Sequence, residues 1–202
     1  MIEEFDYCVG KVIQCLKEED LYDNTIIIVL SDNAPMIKEG YNDGALENIN
    51  GHNPYGNLRG EKYSLYEGGT KVPFIFSWPS VVKEHFVQEQ PFCYIDLMTT
   101  ITSLIGKNLK ENEVKDTEDA SELFLQENAG LYRQFIYTQN NGGGLSLRMG
   151  KWKFIPSRRG ASAELYNLDE DPSELRNVYL TYPDITRKFG QYIQKIYKQN
   201  MK

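Results

Sequence analysis

Apolar residues Ile2, Phe5, Val9, Val12, Ile13 and Leu16 recur at steps of three and four, the spacing that gives an amphipathic helix one apolar face. The turn pair Asp23-Asn24 follows, and residues 25–30 then run Thr-Ile-Ile-Ile-Val-Leu without polar alternation. Such a run predicts a strand buried on both faces. A helix followed by a buried strand predicts an α/β sheet. Residues 31–69 are rich in Gly, Asn, Asp and Pro and show little periodicity; a connection that long inside a compact domain usually carries function.

Periodicity returns at residues 72–78, a second short strand closed by Pro79, and at residues 94–105, a helix that contains Asp96 and ends at Gly106. Residues 107–127 mix Lys, Asp and Glu with few apolar anchors and predict a surface excursion with one helical turn. Beyond it, residues 133–138, 145–149 and 152–155 are short aromatic or branched runs. The turns Asn140-Asn141-Gly142-Gly143-Gly144 and Gly150 separate them, which predicts antiparallel hairpins. Ile185, Phe189, Tyr192, Ile193 and Ile196, after Pro183, mark a terminal amphipathic helix. The expected organisation is an α/β part over residues 1–106, a linking excursion over 107–130 and a small-sheet subdomain over 131–202.

Composition narrows the function classes. The 202 residues are 41% hydrophobic and 25% charged, with a formal net charge of −7, which argues against nucleic acid and anionic membranes as partners. The longest apolar run, residues 25–30, is far short of the ~20 residues that span a bilayer. The opening Met1-Ile2-Glu3-Glu4-Phe5 lacks the basic start and apolar centre of a signal peptide. Cys8, Cys15 and Cys93 fit neither a disulfide framework nor paired zinc spacing, and are expected to be small buried hydrophobes.

Two constellations carry candidate chemistry. Ser31-Asp32-Asn33 directly follows the first strand, where open α/β folds place ligands, and Asp32 and Asn33 offer two hard oxygen donors suited to calcium or magnesium. On spacing alone, an Asx turn ending the strand is the more common explanation of the pair, because Asp and Asn are common turn residues. The second constellation, residues 58–73, combines Arg59 and Lys62 with the glycines of Tyr66-Glu67-Gly68-Gly69. Arg59 offers a planar fork and Lys62 a point charge to an oxyanion, while a solvated loop is the more common reading of such a segment by itself.

The order of these pieces resembles the type I sulfatases. It runs from an apolar strand with Ser31-Asp32-Asn33 through Leu58-Arg59-Gly60-x-Lys62-x-x-x-Tyr66-Glu67-Gly68-Gly69-x-x-Val72-Pro73 and Trp78-Pro79. It continues through Asp96-x-x-Thr99 and ends in Leu165-Tyr166-Asn167-Leu168 with Asp171-Pro172-x-Glu174-x-x-Asn177. The resemblance implies part of an alkaline-phosphatase-like α/β sheet with helices, followed by a small antiparallel sheet packed with the terminal helix. It implies hydrolysis of sulfate esters, sulfated sugars among them, with Asp32 and Asn33 binding a divalent cation, commonly calcium. Lys62 would contact the sulfate and His52 would line the substrate mouth, a plain surface histidine being the other reading; Arg59 is a substrate-binding candidate on its planar fork alone.

In that family the nucleophile is a formylglycine made within Cys/Ser-x-Pro-x-Arg. None of Cys8, Cys15 or Cys93 begins that motif, so no catalytic nucleophile is expected here and the metal site is expected to be partial. A homodimer through surface that the family covers with its N-terminal half is expected, and a periplasmic, extracellular or lysosomal-type setting follows from the family. A non-catalytic module for sulfated ligands, a structural remnant without a ligand and a related phosphate-ester hydrolase are the competing functions.

Overall fold

The computed structural model describes residues 2–37, 42, 44–107, 109–110, 114–158 and 160–200, the side chains of 197–200 excepted. The helices are α1 (Ile2–Glu18), α2 (Ala45–Asn48), α3 (Glu67–Thr70), α4 (Leu97–Leu104), α5 (Ser121–Leu125) and α6 (Pro183–Asn200). The strands are β1 (Ile27–Leu30), β2 (Phe74–Ser77), β3 (Ile136–Gln139), β4 (Leu145–Met149), β5 (Trp152–Ile155) and β6 (Glu164–Asn167). The chain divides into two compact units, residues 1–30 with 74–133 and residues 31–73 with 134–202.

In the first unit β1 pairs antiparallel with β2, Ile27 opposite Ser77 and Leu30 opposite Phe74. All four residues of β1 are half-buried, so the expected burial on both faces does not hold in a sheet of two strands. Helix α1 forms where its period predicts it, with Val9, Ile13 and Leu16 half-buried and Phe5 and Val12 exposed. No residue of α1 is buried. Cys8 and Cys15 are therefore exposed and Cys93 is half-buried, which corrects the expectation of three buried thiols.

Asp96 closes a 3-10 turn, Tyr94–Asp96, at the start of α4, and its carboxylate is fully buried. Arg133 grips it with two guanidinium nitrogens, Nε at 2.9 Å and Nη2 at 2.5 Å, and the Glu118 N–H adds a third bond at 2.8 Å. The segment expected as a surface excursion is anchored by this bond and by apolar packing. Ala120, Leu123 and Phe124 are buried against Phe74, Phe76 and Phe92. Three apolar residues around one helical turn suffice to fix it, although the surrounding charges hide them in the sequence.

In the second unit β3, β4, β5 and β6 form an antiparallel meander in chain order. Leu147, Phe154 and Leu165 turn one face of it toward α6, which supplies the buried Phe189 and Ile193. At ~25 cal/mol per Å² of apolar area, each such side chain contributes about 2 kcal/mol toward folding before entropy is counted. Residues 31–73 belong to this same unit, and Leu65 and Tyr66 pack on Ile155, Tyr166 and Leu168. The observed division thus falls at 30/31, 73/74 and 133/134, whereas the sequence suggested cuts near 107 and 131.

Candidate functional site

The turn after β1 is fixed by its own polar atoms. Ser31 Oγ donates to the Asn33 carbonyl at 2.8 Å, the Asn33 N–H donates to Asp32 Oδ1 at 2.9 Å, and Asn33 Nδ2 donates to the Ala34 carbonyl at 3.0 Å. Ala34 is fully buried beneath this turn, while Asp32 is exposed and Asn33 half-buried. With its amide nitrogen turned onto Ala34, Asn33 keeps its carbonyl oxygen as the acceptor. Together with the Asp32 carboxylate this makes a hard-oxygen pair, right in kind for calcium or magnesium and short of the usual six or more ligands in number. Among the described residues no group of three or more His, Cys, Asp and Glu gathers to complete it.

The Lys62 N–H donates to the Pro35 carbonyl at 3.2 Å, which ties the cation-bearing segment to the strand-end turn. Lys62 is half-buried and its ammonium sits 5.3 Å from the centre of the Tyr63 ring. His52 lies on an exposed turn held by its N–H to the Ile49 carbonyl at 2.8 Å. Arg59 behaves differently from the expectation of a sulfate ligand. Its Nη1 donates to the Tyr166 hydroxyl at 3.1 Å and to the Glu174 carbonyl at 2.9 Å, and its guanidinium lies 3.8 Å over the Tyr66 ring centre. Burial first, and then hydrogen bonds to Glu164, push the Tyr66 and Tyr166 hydroxyls above the usual phenol range, so both remain protonated donors.

Beneath this segment lies an ionic group that sequence reading missed. Glu67 accepts from Lys153 Nζ at 3.0 Å and from Arg148 Nη1 at 3.2 Å, and Lys153 Nζ also stands 2.9 Å from Glu174. Glu174 Oε2 accepts the Glu67 N–H at 2.5 Å. Lys153 and Glu174 are 3% and 0% exposed, so water screens neither charge. Burial pushes the Glu174 carboxyl above its ordinary value, against the pull of Lys153 and the Glu67 N–H. Signals for this group were present: Lys153 interrupts an apolar strand, and Glu67 and Glu174 stand inside the two quoted motifs.

Two glycines make the close approach possible. A Cβ on Gly68 would lie 2.5 Å from the Arg59 carbonyl oxygen and 2.6 Å from that of Gly60, and one on Gly69 would lie 2.5 Å from the Glu61 oxygen. Hydrogen there lets the Gly68 N–H reach the Arg59 carbonyl at 2.7 Å, which folds residues 59–69 back on themselves. An open depression of about 400 Å³ on α1, lined by Gly10, Ile13, Gln14, Lys17 and Glu18, contains none of the candidate residues.

An apolar strand followed by an acid-amide pair, a folded-back Lys loop and a meander sheet with its helix make up an α/β architecture. The family model described as Sulfatase matches residues 1–107. The N-acetylgalactosamine-6-O-sulfatase of Bacteroides thetaiotaomicron is 34% identical over 210 residues, covering 97% of this chain and 41% of that protein. Human arylsulfatase K is 27% identical over 207 residues, covering 97% and 35% respectively. A solved structure concerned with the metabolism of multiple glycosaminoglycans by Bacteroides thetaiotaomicron superposes with a TM-score of 0.86 at 34% identity, covering 95% of this chain and 42% of that one. The chain belongs to the sulfatase family. It spans about two fifths of the length of these relatives and corresponds to their C-terminal portion.

Proposed function

We propose that this chain furnishes the sulfate-recognition and part of the metal-binding surface of a sulfuric ester hydrolase that takes a sulfated sugar. The Lys62 N–H to Pro35 carbonyl bond carries the reading, because it joins a cation suited to a sulfate oxygen to a turn suited to a divalent cation. Asp32 and Asn33 are the ligands, calcium the ion their hard oxygens favour, and a cation held there supplies electrostatic stabilisation to a sulfate oxygen. Lys62 binds the sulfate as a point charge and His52 stands at the mouth. Arg59, engaged by Tyr166 and Glu174, holds the Lys62 segment in place. No Cys/Ser-x-Pro-x-Arg occurs in the sequence, so these residues bind and orient but do not attack the ester.

The name of the Bacteroides thetaiotaomicron relative supports a sulfated amino sugar as the ligand class. No helix among the described residues is long and apolar enough to cross a membrane. The family's secreted, periplasmic or lysosomal setting is the reading for this protein also. Exposed Phe5 and Val12 on α1 support association with a second copy, which sedimentation of the chain tests.

Titration with galactosamine 6-sulfate tests the recognition surface. Binding that disappears in Lys62→Ala is expected, and binding unchanged by that substitution overturns the reading. Calcium is expected to raise the melting temperature of the wild-type chain but not of Asp32→Ala, since a ligand at 100 times its Kd stabilises by about 2.7 kcal/mol.

A further inference from the structure

Arg158 lies between β5 and β6, against the glycine turn that joins β3 to β4. That turn is pinned by Asn140, whose carbonyl accepts the Gly143 N–H at 2.9 Å and whose Oδ1 accepts the Gly144 N–H at 2.7 Å. A Cβ on Gly143 would stand 3.1 Å from Arg158 Nη2, and one on Gly144 would stand 3.4 Å from Arg158 Nη1. The absent side chains therefore form the slot in which the guanidinium rests. The same Gly144 position would meet Leu65 Cδ1 at 3.1 Å, and Leu65 is three residues from Lys62 on the folded-back segment. Leu65 is itself held by Ile155, Tyr166 and Leu168, so the glycine turn lies against Arg158 and against the Lys62 segment.

Arg59, Arg133 and Arg148 each donate to an acceptor of the protein. Arg158 is half-buried, and no carboxylate pairs with it among the described residues. A guanidinium held in a slot, its fork partly shielded and without a counter-charge among the described residues, suits an oxyanion from outside the protein. A solvated arginine lying on a turn is the simpler alternative, but it gives no reason for a Gly144 that a Cβ would crowd against both Arg158 and Leu65.

We propose that Arg158 binds a second anionic group, sulfate or carboxylate, carried by the same saccharide whose sulfate meets Lys62. This rests on the sulfated-sugar reading above and deepens it: Lys62 recognises the first sulfate, and Arg158 selects saccharides bearing two negative charges.

The test titrates three probes into the chain: galactosamine 6-sulfate, galactosamine 4,6-disulfate, and a 6-sulfated disaccharide carrying a uronic acid. At least one doubly charged probe is expected to bind about tenfold more tightly than the monosulfate, the low end for a hydrogen bond to a charged group. Whichever probe gains identifies the second anion as sulfate or carboxylate. Arg158→Ala is expected to erase that gain while leaving monosulfate affinity unchanged, Arg158→Lys to restore part of it, and Lys62→Ala to weaken all three probes. Equal affinity for all three probes, or equal loss on all three in Arg158→Ala, overturns this inference alone. Absence of Lys62-dependent binding to any probe overturns the sulfated-sugar reading, and this inference with it.

Discussion

Glu174 shows how one residue can hold a loop and a sheet together. Its side chain takes the Glu67 N–H, its carbonyl takes the Arg59 guanidinium, and its backbone sits at φ 53, a left-handed conformation costly for a residue with a Cβ. Removing one partner of a buried charge pair leaves the other uncompensated, so Glu174→Ala is expected to cost about 3 kcal/mol in urea unfolding. Glu174→Gln probes the charge alone. The folded-state pKa of Glu174 lies above its ordinary value of 4.5. Its contribution to stability is therefore full below 4.5 and lost as pH rises through the raised value. Wild-type stability should accordingly fall with pH across that window, and Glu174→Gln should flatten the slope. A slope unchanged in the variant would assign the pH dependence to other groups.

The residues of the site differed in how readily the sequence disclosed them. Asp32, Asn33 and Lys62 are proposed on strand-end position and motif order. The partners of Arg59 were not legible, since Tyr166 and Glu174 stand 107 and 115 positions away along the chain. Lys153 was visible as a charge in an apolar strand, but only the folded chain shows that two carboxylates justify it.

Among the elements, helix α3 has the poorest intrinsic reason to exist, since two of its four residues are glycine. Tertiary contact maintains it: the glycines are required by neighbouring carbonyl oxygens, and Glu67 and Gly68 are buried. Gly68→Ala must displace the backbone at Arg59 or Gly60. It is expected to cost about 2 kcal/mol or more by urea unfolding, in line with other overpacking changes. Gly10→Ala in exposed α1 is the control. No atom stands within 4 Å of the new methyl, so helix propensity alone predicts a gain of about 0.5–1 kcal/mol. Long periodic elements such as α1 and α6 declared themselves in the sequence, as did the hairpin strands. Helix α5 was foreseen only as one helical turn within residues 107–127, because a run of five residues is too short for a period to fix its bounds. The pairing of β1 with β2 was hidden, since periodicity identifies strands but not their partners.

At the scale of the whole chain, each compact unit is assembled from two separated stretches of sequence. Composition marks a boundary where the residues along a chain change character, so it pointed to the charged stretch near 107–130. The units follow contacts made at long range, and residues 31–73 join their unit through residues beyond 134, as Arg59 does through Tyr166 and Glu174. That is also why a segment resembling a plain loop is ordered: the meander sheet supplies the packing it lacks locally.

Cys8 and Cys15 occupy exposed positions seven residues apart on α1. At the rise of a helix their Cα atoms are separated by about 10.5 Å, beyond the ~7 Å a disulfide can bridge. Air oxidation therefore cannot close a harmless ring between them, and each copy carries two outward thiols that can join neighbours. Burial pushes the Cys93 thiol up, which slows it relative to a solvent-facing one. Protein stored without reductant is expected to form a ladder of covalent multimers on a non-reducing gel. The double change Cys8→Ser and Cys15→Ser should abolish that ladder, and with it the ageing of any preparation used to measure sugar binding.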